Sequence, residues 1–189
     1  MAEPARRMLS YRDYLDLERE TGIRHEYLDG EVWAMAGGTL RHSRVKTKLT
    51  IAIGNALGDG PCQPYDSDLK IRIPETGLAT YPDLAIICGP PVVDVEDHNA
   101  ATNPTVLVEV LSKDTEAWDR GGKFLHYRRL DSLQHTLLVS QDAALIELFT
   151  RMDDGTWRLS EHGPGQQVAL PAIDVAIEVD AVFSDLPEG

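Results

Sequence analysis

Apolar positions along this chain recur with two periods, and the switches between them mark out its elements. Tyr11, Tyr14 and Leu15 fall at helical spacing behind Ser10 and Asp13, a capping-box pair, with Gly22 just past the end, which predicts a first helix of roughly a dozen residues. His25 to Leu28 and Glu31 to Met35 then read as a hairpin across Asp29-Gly30, the pair favoured in a tight type I′ turn. Val45, Leu49, Ala52, Ile53 and Ala56 return to the helical period and predict a helix from Leu40 to Leu57, closed by Gly58. Between about Gln63 and Ile73, Leu69, Ile71 and Ile73 alternate with Asp68, Lys70 and Arg72, so the pattern predicts one strand with a wetted face, ending at Pro74 and a Glu75-Thr76-Gly77 turn.

Two runs are too continuously apolar for a half-wetted strand and read as strands buried on both faces: Tyr81-Pro82-Asp83-Leu84-Ala85-Ile86-Ile87, stopped by Gly89-Pro90-Pro91, and Thr105-Val106-Leu107-Val108-Glu109-Val110-Leu111-Ser112. The acidic segment Val92 to Asn103 between them reads as a surface loop or short helix. A further helix is expected from Asp114 or Thr115 to about Leu130. It contains Gly121-Gly122, each costing about 1 kcal/mol relative to alanine, which suggests a close approach to a neighbouring backbone or to substrate. A strand at Thr136 to Val139 follows, then a hairpin from Leu145-Phe149 through Asp153-Asp154-Gly155 to Thr156-Leu159. Val168-Leu170 and Val175-Ile177 complete the pattern as short sheet additions.

Chemistry enters with the acids inside the apolar runs. An isolated carboxylate loses more on leaving water than packing returns, so Asp83 and Glu109 need company. Two hard oxygen donors on adjacent strands suit Mg²⁺; ordinary salt bridges at strand ends are the alternative. Glu26 or Glu31 on the hairpin could add a third carboxylate, and a solvated strand face is the plainer role for either. Lys123 stands four residues after Asp119, either as an exposed ion pair or as a cation leaning over the carboxylates.

Length and charge bound the rest. With 189 residues, the chain has enough length for one domain: helix and hairpin over about 10–36, a core over about 40–140 and a β extension over about 144–189. A net charge of -13 argues against non-specific nucleic-acid binding by bulk attraction, so a phosphate partner would need a local patch. The run Arg41, His42, Arg44, Lys46 and Lys48 at a helix start is the candidate; a solvated polar face is the alternative. Cys62 and Cys88 read as reduced thiols. His25-Glu26 opens like a zinc motif but has Asp29 where the second His belongs, which disfavours zinc. No apolar run reaches the length of a membrane span. Met1 to Arg7 leads into a polar helix instead of a signal-peptide core, so a cytoplasmic protein is expected.

The segments Tyr27-Leu28-Asp29-Gly30-Glu31, Tyr81-Pro82-Asp83, Val108-Glu109-Val110-Leu111-Ser112, Asp119-Arg120-Gly121-Gly122-Lys123 and Tyr127, in this order and spacing, resemble the Uma2 family of restriction endonuclease-like proteins in the PD-(D/E)XK nuclease superfamily. The resemblance runs from about Leu9 to Leu148. It implies an α/β fold: a restriction-endonuclease-like core with a mixed central sheet flanked by helices and added N-terminal and C-terminal β-hairpins. It also implies hydrolysis of DNA by metal-activated water with Mg²⁺, or Mn²⁺ in its place. Asp83, Glu109 and the backbone carbonyl of Val110 then match the metal ligands. The superfamily lysine belongs two residues after the second acid, where this chain has Leu111, so its role passes to Lys123 on the next helix, with Lys113 as second choice. Leu40 to Leu57 contains no acid to match the superfamily's first acidic position, which leaves Glu31 or Glu26 to supply it; Glu31 is preferred. Arg41, His42, Arg44 and Lys48 would hold the DNA backbone, and a homodimer would suit cleavage of both strands. Two other readings stay open: a nuclease-fold module that binds nucleic acid or protein without turnover, and a metal-dependent hydrolase of small phosphate esters.

Overall fold

The computed structural model describes residues 8–35 and 37–186; the start, Met1 to Arg7, and the outer bounds at residues 36 and 189 lie outside the described residues. Helix α1 (Tyr11–Thr21) starts as the capping pattern requires: the Ser10 hydroxyl accepts from Asp13 N–H at 3.1 Å, and the Asp13 carboxylate accepts from Ser10 N–H at 3.0 Å. Its buried face joins Tyr11 and Tyr14 to Tyr27 of strand β1 (His25–Leu28), with ring centroids 5.2–5.5 Å apart. Strand β2 (Glu31–Ala34) returns antiparallel, with positive φ at Asp29 and Gly30 of the turn.

After helix α2 (Leu40–Leu57), the expected strand over residues 63–73 is in fact two, β3 (Cys62–Asp66) and β4 (Lys70–Ile73), which belong to different sheets. A tight turn divides them, with Asp68 N–H donating to the Asp66 carboxylate at 3.0 Å and Leu69 N–H to the Asp66 carbonyl at 3.1 Å. The expected wet face is also corrected. Lys70 is buried between Glu18 of α1 (2.8 Å) and Asp97 (2.7 Å), because α1 and the acidic segment cover that side of the strand. That segment is accordingly more than a surface loop: Asp94 and Asp97 are buried, and β7 (Ala100–Ala101) pairs in parallel with β4.

A five-stranded sheet runs β2-β1-β5-β4-β7, with β5 spanning Leu78–Thr80. A six-stranded mixed sheet runs β11-β10-β9-β8-β6-β3, built from β6 (Leu84–Cys88), β8 (Val106–Leu111), β9 (His135–Ser140), β10 (Ile146–Arg151) and β11 (Trp157–His162) beside β3. Strands β8 and β9 are parallel, and the other pairs are antiparallel. Strands β12 (Gln167–Leu170) and β13 (Val175–Glu178) form a small sheet that leads into α4 (Val179–Phe183).

Period-two alternation divides the core. Val106, Val108 and Val110 face Val45, Leu49 and Ile53 of α2. Leu107 faces the other way, toward Ile71, Ile73, Leu78 and Tyr127, and the same parity aims Glu109 to that side.

The reading of reduced thiols is corrected too. Cys62 and Cys88 are disulfide-bonded, because antiparallel pairing of β3 with β6 sets them directly opposite each other with Cα atoms 3.9 Å apart.

Candidate active site

Pairing between β6 and β8 brings the two strand carboxylates together. Leu84 lies opposite Val108, and continuing that antiparallel register by one step sets Asp83 across from Glu109. Both line a cleft of about 550 Å³ with Glu26, His42, Trp118 and Lys123. The Asp83 carboxylate accepts from Val110 N–H at 2.8 Å and stands 3.3 Å from His42 Nε2 and 3.9 Å from Lys46 Nζ. The hydrogen bond to Asp83 holds the His42 pKa above its ordinary value, against the opposing effect of burial. An added Cβ at Gly38 would lie 2.6 Å from His42 Nδ1, so this glycine gives the imidazole room.

Glu109 is only 3% exposed. Burial, against the pull of Lys123 and the Tyr127 hydrogen bond and with the push of Asp119 and Asp83, raises its carboxyl to about 8. Tyr127 Oη donates to Glu109 Oε1 at 2.5 Å, and Lys123 Nζ lies 3.4 Å from the same oxygen.

Lys123 is buried, so the exposed-pair reading does not hold. It reaches Glu26 at 2.9 Å and Asp119 at 3.0 Å besides Glu109. Burial works against its charge, yet Glu109, Tyr127, Glu26 and Asp119 together hold its pKa well above the ordinary lysine value. The lysine sits at the end of a π-helical turn, Trp118–Lys123, which continues into α3 (Phe124–Tyr127) where a longer regular helix was expected. Such turns are rare and concentrate at functional sites. Gly122 explains itself here. A Cβ on it would fall 1.9 Å from Trp118 Cε3 and Cζ3, so the close approach inferred from the glycine pair is to the indole of its own turn. Nothing lies within 4 Å of a Cβ placed on Gly121.

Of the two hairpin acids, the cleft takes Glu26. Its carboxylate accepts from Thr80 Oγ1 at 2.5 Å and from Trp118 Nε1 at 3.0 Å. Glu31 pairs with Leu28 next to the turn, two residues along the hairpin from the Glu26–Trp33 pair, and it does not line the cleft. At roughly 3.4 Å per residue, that offset moves it about 7 Å along the strand from the position opposite Glu26.

The basic run divides as well. His42 lines the cleft. Arg41 Nε donates to the Gln141 carbonyl, Lys48 Nζ binds the carbonyl and hydroxyl of Ser184, and Arg44 is exposed. Lys46, named in the basic run, stands beside Asp83, and Tyr127, named among the family segments, binds Glu109; Trp118 and Thr80 were not singled out as site residues. Nothing in the sequence pointed to Trp118 or Thr80.

Among the described residues, no three His, Cys, Asp or Glu side chains form a ready metal cage. The cleft instead offers Glu109 of β8 and Asp83 at the bend just before β6, with Glu26 and Asp119 also lining it. No helix among the described residues is long and apolar enough to cross a membrane. A second, more open depression of about 360 Å³ beside Ile73, Glu75 and Arg129 lacks buried titratable groups.

The Uma2 family model, described as "Putative restriction endonuclease", matches residues 11–181. The Uncharacterized protein slr1290 of Synechocystis sp. is 38% identical over 178 residues, covering 94% of this chain and 93% of its own. The Uncharacterized protein sll1609 of the same organism is 30% identical over 155 residues, covering 82% and 88%. A crystal structure described as "a putative nuclease belonging to DUF820" from Anabaena variabilis ATCC 29413 matches with a TM-score of 0.76, covering 93% of this chain and 98% of that one. Its 16% identity speaks for the fold alone. With a match that runs through both carboxylate strands, the π-helical turn and the C-terminal hairpins, this chain belongs to the Uma2 family of restriction endonuclease-like proteins and has a restriction-endonuclease-like fold.

Proposed function

We propose that this chain is a Mg²⁺-dependent endonuclease, acting as a homodimer, that hydrolyses DNA phosphodiester bonds. The observation that carries the reading is that Asp83, at the bend just before β6, and Glu109, within β8, line one cleft, with the ammonium of Lys123 3.4 Å from Glu109. The donor chemistry fits the metal. Mg²⁺ is held by one or two carboxylates and completes its shell with water and phosphate oxygens. Glu26, Asp83, Glu109 and Asp119 line the cleft beside Lys46, Lys123 and His42; burial holds the Glu109 carboxyl up to about 8, and a divalent ion bound against it would favour its ionised form. Mn²⁺ would serve the same donors. Bound there, the metal would supply an activated water and neutralise charge on the phosphate.

The chain's own residues take the remaining roles. Lys123, held charged by its acidic neighbours, is suited to stabilising a phosphate oxygen and unsuited to accepting a proton. His42 orients Asp83 from α2, and Val110 N–H holds the same carboxylate from the strand. Val110 thus acts on Asp83 through its amide, beside any part its carbonyl plays toward a metal.

The test is cleavage of DNA with and without Mg²⁺. Wild-type protein is expected to cut, and Asp83→Ala and Glu109→Ala to abolish cutting while keeping the circular dichroism of the fold. Metal-dependent cutting that survives both substitutions would remove the assignment.

A second reading, a nuclease-fold module that binds without turnover, draws on Leu111, a buried leucine where the superfamily carries its lysine. It would be favoured by wild-type protein that retains DNA intact in Mg²⁺ and Mn²⁺.

A further inference from the structure

The cleft has an aromatic wall that metal-assisted hydrolysis does not require. Trp33 lies opposite Glu26 in the hairpin register, is 42% exposed and lines the cleft. Trp118 lies across from it with ring centroids 6.4 Å apart and planes inclined by 40°, so the rings form an open wedge and are not stacked on each other. The wedge is anchored on its inner side. Trp118 Nε1 donates to Glu26, which contacts Lys123, and Gly122 leaves the space in which the indole lies. On its outer side, Trp33 is exposed.

Charge points the same way. Lys46 and Lys48 are engaged by Ser67 and Ser184, Arg41 holds Gln141, Arg44 alone of the run's arginines and lysines is exposed, and the whole chain carries -13, so a grip on phosphates alone would be weak. Proteins that hold single strands combine limited backbone contact with aromatic faces on which bases stack, and a face of this kind accepts any base. A base inside a duplex is already stacked on both sides and cannot enter such a wedge without being extruded. A cleft of about 550 Å³ is in the range that encloses small ligands, which suits one nucleotide.

We infer that the Trp33–Trp118 wedge is a stacking subsite for an unpaired base, so that the substrate enters as single-stranded DNA, with the nucleotide at the carboxylates held by its base. The inference rests on the nuclease reading for the place of the phosphate, but its test does not need cleavage.

Fluorescence anisotropy of a labelled single-stranded oligonucleotide and of the same sequence as a duplex would be followed in EDTA, with the full chain. Tighter binding of the single strand is expected. Trp33→Ala should weaken it roughly 5- to 150-fold, the range set by one lost base stack, and Trp33→Phe, which keeps a stacking face, should retain most of the affinity. Trp33 is a partly exposed strand residue, so the alanine variant can be checked for folding by its thermal midpoint. Equal binding of both DNA forms, or single-strand affinity unmoved by Trp33→Ala in folded protein, would overturn the inference even if Mg²⁺-dependent cutting through Asp83 is found. Trp33-dependent single-strand binding by a protein that never cuts would keep the subsite and sink the nuclease reading instead.

Discussion

Replacing Lys123 by methionine retains most of the aliphatic stem and removes an ammonium that stands within 2.9 Å of Glu26, 3.0 Å of Asp119 and 3.4 Å of Glu109. All of these groups are buried, so the acids cannot recover their lost partner by hydration. Breaking a buried ion pair from one side costs about 3–5 kcal/mol. For a chain of this size that corresponds to a fall in thermal midpoint of roughly 6–20 °C. Part of the loss is recoverable, because a stranded carboxylate can take up a proton. Glu109, already pushed up to about 8 by burial, is the first to do so. An acid whose folded pKa lies above its unfolded value adds stability that is full below the unfolded pKa and is lost as pH rises through the folded one. Removing the Lys123 charge pushes the folded pKa of Glu109 higher still, so the deficit of Lys123→Met should shrink as pH falls from about 10 toward 8. Adding Glu109→Gln should rescue part of it, with a coupling of about 0.5–3 kcal/mol. Urea unfolding of the two single variants and the double variant across that pH range makes the measurement. A deficit under about 1 kcal/mol at about pH 10, or strict additivity of the two substitutions, would refute the account of one cation supporting several buried acids.

Other outcomes follow from groups away from the carboxylates. His135 is buried, accepts Ala172 N–H at 3.3 Å through Nε2, and has its pKa lowered to about 4 by burial. The unfolded chain then takes up the proton first as pH falls from about 6.5 to about 4, so stability present above 6.5 should decline by about 2 kcal/mol between pH 7.5 and 5, and His135→Gln should flatten that slope in urea titrations. Gly122→Ala should displace the Trp118 indole, destabilise the protein by about 1–3 kcal/mol and alter tryptophan emission; an unchanged midpoint would speak against the packing described. Gly38→Ala should push His42 away from Asp83 and return its NMR-titrated pKa toward the ordinary histidine value, while an unmoved titration would show that the loop yields instead. Reducing the disulfide, or replacing both cysteines by alanine, should lower stability by up to about 3.5 kcal/mol on the chain-entropy estimate for a separation of 26 residues; equal urea midpoints would show that strand pairing alone holds β3 to β6.

Local order was legible in the sequence because near neighbours set it. The capping box at Ser10, the Asp29-Gly30 turn, the apolar face of α2 and the unbroken runs of β6 and β8 each follow from residues within a few positions of one another. An acid inside an apolar strand must find a partner, and that necessity marked Asp83 and Glu109 as a pair before any contact was known. What spacing could not decide was which distant groups would meet them. Glu26 and not Glu31 reaches the cleft because hairpin register and the docking of β1 on β5 place it there. Lys123 is buried and not solvated because the face of its π-helical turn that carries Asp119 is covered by Glu26 and Glu109. The same limit accounts for the division of residues 63–73, the buried Lys70 and the bond between Cys62 and Cys88. Alternation along a strand says which residues share a face, but burial of that face depends on segments tens of residues away, and only the tertiary arrangement supplies them.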